Sequence, residues 1–303
     1  MASGFSRRRL LAAAAAAPWL VNLARAAEPA RPAEQPKATP IRQGRLKQSV
    51  MSSVWGQGNP LTPKERMEVL SRLGFAGVDL PGREELAIMP DYGLVPTLTV
   101  ANGGATMQDG MVRKELHSKI FDSVHAAVDS AAAMHCPNIC LFPGERRGMS
   151  HEEGAANTVE ILKRVAPYAE EKGVNLCMEI TNSKVVADRR TDQMFNDINW
   201  GIQVCRTVKS SRVKILYDFY HVQIMNGDVV RTLKDNLDIC SHIHVAGVPT
   251  RCEIDDTQEL NYHYIAREIA NMGYQGYVAH EWRPTAGRNQ LLSLATCFDI
   301  LVV

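Results

Sequence analysis

A regular alternation of short apolar segments with longer helical segments, from Lys47 to the C-terminus, most constrains the fold. Runs rich in Val, Ile, Leu and Thr predict strands, and the amphipathic segments between them predict helices, which is the pattern of parallel βα units. Eight units follow one another without a change in composition. We therefore predict one α/β domain, a single (β/α)8 TIM barrel over residues 47–303. The predicted strands are 48–54, 76–80, 95–100, 138–142, 174–180, 213–218, 242–246 and 276–281, and the predicted helices are 62–73, 83–91, 112–134, 151–172, 191–210, 227–239, 259–272 and 288–301.

Several helix ends carry their own local signals. Thr62 before Pro63 is typical of a helix start, because threonine caps the first turn and proline suits the first helical position. Gly74, Gly173 and Gly273 follow predicted helices, where a left-handed residue favours glycine.

The N-terminus has the pattern of an export signal. Arginines at 7–9 precede an alanine-rich apolar run to Leu23 and the small-residue pattern of Ala24 and Ala26, which predicts a signal peptide over residues 1–27. The arginines resemble a twin-arginine signal, so we expect a periplasmic or extracellular protein. A general secretory signal or an uncleaved anchor is the alternative. Residues 28–46, with four prolines, predict a disordered linker.

Charge and cysteine usage exclude several functional classes. The net charge of +1, with no basic cluster after the first residues, disfavours nucleic acid or a membrane surface as a partner once the signal is cleaved, and favours a small-molecule substrate. Seven cysteines are an odd number without a C-x-x-C pair, which indicates buried thiols and not a disulfide framework. The sequence leaves the oligomeric state open, including a homo-oligomer.

Polar residues end four consecutive predicted strands. These are Glu179, Asp218, His244 and Glu281. In a TIM barrel the strand ends meet at the barrel mouth, so three carboxylates and an imidazole would converge there. A shared divalent cation would relieve their repulsion, and this donor set suits Mn²⁺, Mg²⁺ or Co²⁺, with Zn²⁺ compatible. Any one of these residues alone would be better explained as a loop cap or an ion-pair partner.

Three histidines lie near these strand ends. His242 and His244 share one face of their strand, and we interpret His244 as the metal ligand and His242 as a packed core residue. His221 lies three residues beyond Asp218, in the predicted loop. It could orient a substrate hydroxyl or could be a solvated loop histidine.

Residues 217–228, YDFYHVQIMNGD, resemble the D-x-Y-H-x-Q-x-x-x-G-D signature of hydroxypyruvate isomerases. Residues 242–251 resemble the seventh-strand block of that family, residues 281–284 resemble its final acidic block, and Glu179 with Asn182 resembles its fifth-strand pair. The similarity extends over residues 47–303 and belongs to the wider xylose isomerase-like superfamily of sugar isomerases and epimerases.

The resemblance implies roles for individual residues. Two departures from the family concern the substrate. This chain has His244, as the ketose epimerases do, where hydroxypyruvate isomerases commonly have Gln, and an export signal is unusual for the family. The implied metal ligands are Glu179, Asp218, His244 and Glu281, the implied catalytic acid/base pair is Glu179 and Glu281, and the implied substrate-binding residues are His221 and Arg251.

The implied reaction is an isomerisation by proton transfer through a cis-enediolate, with hydroxypyruvate and tartronate semialdehyde as the first candidate pair. An epimerase, or a lyase or dehydratase acting on an exported ketose, keto-glycoside or inosose, is the alternative. A non-catalytic sugar-binding barrel is a second alternative. A metal-dependent phosphodiesterase of the endonuclease IV type is disfavoured, because it would need more histidines and a basic groove.

Overall fold

Eight parallel strands close into a barrel in chain order, and the last strand pairs with the first, in a computed structural model that describes residues 44–101, 103–185 and 192–303. This confirms the predicted (β/α)8 barrel. The strands are β1 (Lys47–Met51), β2 (Gly77–Asp79), β3 (Val95–Val100), β4 (Asn138–Leu141), β5 (Asn175–Glu179), β6 (Val213–Asp218), β7 (Cys240–Val245) and β8 (Tyr277–His280).

Helices follow the strands and surround the barrel. They are α1 (Pro63–Leu73), α2 (Arg83–Ile88), α3 (His117–Ala133), α4 (His151–Lys172), α5 (Ile198–Val208), α6 (Phe219–Met225), α7 (Val229–Asp235), α8 (Tyr262–Asn271) and α9 (Gln290–Ile300). Short 3-10 segments complete the connections at Ser52–Trp55, Met89–Tyr92, Lys114–Leu116 and Leu237–Ile239.

The predicted helix ends are confirmed where local chemistry determines them. Thr62 accepts a hydrogen bond from the backbone N–H of Glu65, whose carboxylate accepts in return from the Thr62 backbone, and together they cap α1. Gly74, Gly173 and Gly273 have φ values of 97°, 72° and 74°, in the left-handed region that favours glycine.

Two predicted helices start five or more residues too early. The predicted helix 112–134 begins only at His117, because Lys114–Leu116 forms a 3-10 turn. The predicted helix 191–210 begins at Ile198, because the Asp197 side chain accepts from the backbone N–H of Asn199 and caps the helix there.

The predicted loop after β6 is wrong, because residues 219–225 form α6. Asp218 is the last residue of β6 and the N-cap of this helix: its Oδ1 accepts from the backbone N–H groups of Tyr220 at 2.8 Å and His221 at 3.4 Å. The helix therefore starts directly at the strand end and carries His221 in its first turn.

The main core packs strand residues such as Val50, Ile139 and Val278 against helix residues such as Leu70 and Ile161. All seven cysteines lie within the described residues and are free, and six of them are buried, which confirms the interpretation as core thiols.

The predicted signal peptide (residues 1–27) and most of the predicted linker lie outside the described residues. The backbone N–H of Arg45 donates to the carbonyl of Val303 at 2.9 Å, and Leu46 is already buried in the core. Within the described residues, no helix has the length and apolar character needed to cross a membrane.

Candidate functional site

The structure brings the four strand-end residues together at the carboxyl end of the barrel. Glu179 ends β5, Asp218 ends β6, His244 is the penultimate residue of β7, and Glu281 follows β8 directly. One potential ligand atom from each residue lies within 4.8 Å of the others. Barrel pairing sets this approach, since Asp218 is the register partner of His244 and the backbone N–H of Glu281 continues the ladder to Val245 at 3.0 Å.

The imidazole of His244 lies between two glutamates on one side and one aspartate on the other. Its Nδ1 atom is 2.6 Å from Oε2 of Glu281 and 3.4 Å from Oε1 of Glu179. Its Nε2 atom is 3.0 Å from Oδ2 of Asp79. Nδ1 therefore faces the other predicted ligands, while Nε2 faces away from them.

Asp79, at the end of β2, is a site residue that the sequence analysis missed. Its Oδ2 accepts from Nε2 of His242 at 2.7 Å as well as from His244, and its Oδ1 accepts from the hydroxyls of Thr97 and, at 3.3 Å, Ser49. Burial opposes its ionisation, but His242 and His244 outweigh burial and lower the pKa of Asp79. The sequence signal for Asp79 was its place at the end of a short strand, which does not separate it from a loop cap. His242 is fully buried, as predicted.

Arg251 joins the cluster through its guanidinium. Nη2 lies 2.6 Å from Oε2 of Glu281 and 3.2 Å from Oδ2 of Asp218. The guanidinium carbon lies 5.0 Å from the centre of the Tyr220 ring, a cation–π contact. Arg251 has a left-handed backbone with φ of 55°, uncommon for a residue with a side chain. The structure thus pairs Arg251 with two of the predicted metal ligands.

His221 is fully buried, so the alternative of a solvated loop histidine is wrong. Its Nδ1 accepts from the backbone N–H of Asn182 at 3.1 Å. Nε2 lies 3.4 Å from Oδ2 of Asp218 and 2.9 Å from Nη1 of Arg251. The early start of α6 explains this burial, because it turns the first helical residues back towards the barrel.

Burial and neighbouring charges together shift the pKa values of the site residues in different directions. Burial raises the pKa of Asp218 to about 6, although the Arg251 guanidinium opposes that shift. Burial also opposes ionisation of Glu281, but Arg251 and His244 outweigh it and lower the pKa of Glu281. For His244, burial disfavours the charged ring, but Glu281 and Asp79 raise its pKa. Arg251 and His244 therefore offset part of the carboxylate charge of the cluster.

The side chains present fit a divalent metal ion. Oε1 of Glu179, Nδ1 of His244 and Oε2 of Glu281 are buried, and within the described part of the chain their contacts with one another and with Arg251 are ion pairs that lack hydrogen-bond geometry. Buried polar atoms are rarely left in that state, and their convergence with a carboxylate oxygen of Asp218 provides the ligand atoms of a metal site. These four residues could hold one divalent ion.

Two cavities differ in their relation to this cluster. One of about 540 Å³ lies at the same end of the barrel, between the segments that follow β1 and β8, and its lining includes Ser53, Arg283 and Arg288. A larger one of about 650 Å³ is lined by Asn175 and Ser241, at the opposite strand ends, and by none of the four clustered residues. The first cavity is likewise lined by none of these four residues, although it lies at their end of the barrel.

Comparison with known proteins agrees with this architecture. Residues 67–295 match the family model described as xylose isomerase-like TIM barrel. The 2-oxo-tetronate isomerase of Cupriavidus necator is 35% identical over 132 residues, which cover 44% of this chain and 49% of that protein. The hydroxypyruvate isomerase of Escherichia coli is 29% identical over 170 residues, which cover 54% of this chain and 60% of that protein. The matches thus span about half of these curated relatives.

A solved structure of an AP endonuclease, family 2, from Brucella melitensis superposes with a TM-score of 0.71 over 83% of this chain and 98% of that chain. Its sequence identity of 23% makes this a likeness of fold alone. The family match covers most of the barrel, and the curated relatives above carry isomerase names. The chain belongs to the xylose isomerase-like TIM barrel family, within which it is a hydroxypyruvate isomerase-like protein.

Proposed function

We propose that the chain is a metal-dependent isomerase that moves a carbonyl group between neighbouring carbons of a small hydroxy-carbonyl acid. Hydroxypyruvate, with tartronate semialdehyde as product, is the first candidate substrate, and a four-carbon 2-oxo-tetronate is the next. The observation that carries the proposal is the convergence of four buried ligand atoms within 4.8 Å at the barrel mouth, two of them on glutamates. The names of the two curated relatives support the reaction class.

The proposed metal ligands are Glu179, Asp218, His244 and Glu281. Three carboxylates and one imidazole suit Mn²⁺, Mg²⁺ or Co²⁺ better than a thiolate-rich zinc site would, and Zn²⁺ remains compatible. When bound, such an ion polarises the substrate carbonyl and stabilises the negative charge of the enediolate.

Glu179 and Glu281 are the proposed proton carriers. They come from β5 and β8, on different sides of the cluster, and a carboxylate oxygen of each lies within 3.4 Å of Nδ1 of His244. One glutamate would remove the proton from the carbon beside the carbonyl, and the other would return a proton to the neighbouring carbon. Both side chains are largely buried, which limits competing proton exchange with bulk water.

His221 and Arg251 are the proposed substrate-binding residues. A substrate carboxylate suits the Arg251 guanidinium, which can donate two parallel hydrogen bonds to it. The His221 ring presents Nε2 to the same region, where it could form a hydrogen bond with a substrate oxygen. The backbone of Asn182 fixes this ring orientation.

Epimerisation of a ketose is the second candidate. It is favoured by His244, which stands where hydroxypyruvate isomerases commonly have Gln. The same two glutamates would then act on opposite faces of one carbon. We also propose, from the N-terminal sequence, that the chain is exported by the twin-arginine route.

The test is metal analysis of the purified mature protein, followed by incubation with hydroxypyruvate, a 2-oxo-tetronate and ketoses in D₂O. NMR should detect deuterium at the carbon beside the carbonyl and identify the product. Absence of both metal and deuterium uptake would favour the sugar-binding barrel, and uptake without carbonyl migration would favour the epimerase.

Variants test the two proton carriers. Glu179→Gln and Glu281→Gln should each abolish deuterium uptake while the fold remains, and metal content is measured alongside because both residues are proposed ligands. Glu85→Gln is the matched control: Glu85 is a buried glutamate that bonds the backbone of Gly82 in the first turn of α2. Uptake retained in either site variant removes that residue from the mechanism.

A further inference from the structure

Asp79 is a fully buried carboxylate that the proposed reaction does not use. It ends β2, and its four hydrogen-bond donors come from three other strands: Ser49 of β1, Thr97 of β3, and His242 and His244 of β7. An ionised carboxylate only accepts hydrogen bonds, so each histidine directs an Nε2 proton at Oδ2. Asp79 therefore lies below the candidate metal centre and contacts it only through His244.

This contact determines which nitrogen of His244 is available to a metal. A neutral imidazole carries one proton, and with that proton on Nε2 the lone pair lies on Nδ1. Nδ1 is the atom that faces Glu179 and Glu281. Without Asp79, the ring could carry its proton on Nδ1 or rotate about its side-chain bonds, and either change would withdraw the ligand atom.

We propose that Asp79 is a positioning residue of the metal centre, which holds the His244 ring so that Nδ1 is the ligand atom. The inference rests on the proposed metal-dependent function. Carboxylates that orient a metal-bound histidine in this way generally increase metal affinity by about 10–100-fold. His242 donates to the same carboxylate oxygen but lies one layer further from the barrel mouth, and its ring packs edge-on against the His244 ring with 5.1 Å between the ring centres.

Metal affinity tests the proposal independently of activity. Mn²⁺ is titrated calorimetrically into the metal-stripped mature protein and into two variants. Asp79→Leu, which has no acceptor, should bind Mn²⁺ about 10–100-fold more weakly than wild type. Asp79→Asn should recover part of that loss, because its amide oxygen can still accept from Nε2 of His244.

Thr97→Val is the matched control. It removes one of the two donors to Oδ1 of Asp79, the other being Ser49, but leaves the contact between Oδ2 and His244. Its thermal stability should fall while its Mn²⁺ affinity stays at the wild-type value. A folded Asp79→Leu protein that binds Mn²⁺ as tightly as wild type overturns the proposal, as does an equal loss of affinity in Thr97→Val.

A spectroscopic measurement needs no substitution at Asp79. In histidine-labelled wild type loaded with Zn²⁺, long-range ¹⁵N–¹H spectra should show a protonated Nε2 and a metal-bound Nδ1 for His244, assigned by its loss in His244→Gln. Metal on Nε2 overturns the proposal. Two ions per chain also overturn it, because Asp79, His242 and His244 could then hold the second ion. If wild type binds no ion, the metal-dependent function fails as well, whereas normal binding without dependence on Asp79 rejects this inference alone.

Discussion

Removing the charge of Arg251 should destabilise the metal-free protein far more than the metal-loaded protein. In Arg251→Met the chain keeps a flexible apolar side chain of similar length but loses the guanidinium. That guanidinium contacts Glu281 at 2.6 Å and Asp218 at 3.2 Å, and its side chain is only 3% exposed. Without it, the three clustered carboxylates lose their guanidinium partner and keep the contacts of Glu179 and Glu281 with His244.

The magnitude follows from the burial of these ion pairs. Removing one partner of a buried pair leaves an uncompensated charge and typically costs about 3–5 kcal/mol. For a chain of this size each kcal/mol shifts the melting temperature by about 2–4 °C, so the metal-free variant should melt roughly 6–20 °C below wild type. A divalent cation brings positive charge to the same oxygens, so saturating Mn²⁺ should restore most of this loss.

Urea denaturation of metal-stripped protein, with and without Mn²⁺, measures both effects. The matched control is Arg206→Met, which removes an ion pair to Asp238 that is about half exposed. Exposed pairs contribute about 0–1 kcal/mol, so this control should show little change with or without metal. The reasoning fails if metal-free Arg251→Met is as stable as wild type, or if Mn²⁺ stabilises the variant no more than it stabilises wild type.

Three further predictions concern stability and targeting. Tyr262→Phe removes a buried hydroxyl that bonds both backbone groups of the residue after β7, and should lower the free energy of unfolding by about 1–3 kcal/mol in urea titration. Burial opposes ionisation of Glu253, but hydrogen bonds from Thr285 outweigh burial and lower the pKa of Glu253. The ionised carboxylate therefore stabilises the folded protein above about pH 4.3, and this stabilisation is lost as the pH falls through the lowered pKa. Glu253→Gln should therefore be less stable than wild type at pH 7, and the difference should shrink on acidification; a constant difference contradicts this. Replacing Arg7 and Arg8 with Lys should leave the precursor inside the cell, which fractionation with N-terminal mass spectrometry would detect, and unchanged export would exclude the twin-arginine route.

The sequence predicted the barrel and the convergence of its polar strand ends, because both follow from the local alternation of apolar strand segments with amphipathic helix segments. In a parallel barrel every strand ends at the same mouth, so residues 179, 218, 244 and 281 approach one another once the strands are correctly located. Their separation depends on register, which the sequence does not provide. The pairing of Asp218 with His244 could be read only from the structure.

The contacts that surround this cluster were less predictable. Asp79 ends a strand of only three residues, and its partners at 49, 97 and 242 are distant in sequence, so no local pattern distinguishes it from a loop cap. The guanidinium of Arg251 was expected to meet a substrate carboxylate, but the described residues offer it protein carboxylates. Which carboxylate pairs with Arg251 depends on whether a substrate or a metal ion is bound, and the sequence does not encode this locally.

Asp218 couples the fold to the site because its two carboxylate oxygens have different partners. Oδ1 caps α6 and so determines where His221 lies, while Oδ2 faces Arg251 and the candidate metal centre. Loss of the whole side chain would remove a helix cap, which typically costs about 1 kcal/mol, together with a metal ligand. An asparagine can keep the cap oxygen but lacks the charge. Comparing Asp218→Ala with Asp218→Asn therefore separates the contribution of the helix cap from that of the metal ligand. Asp218 has a role in metal binding only if Asp218→Asn also loses metal affinity.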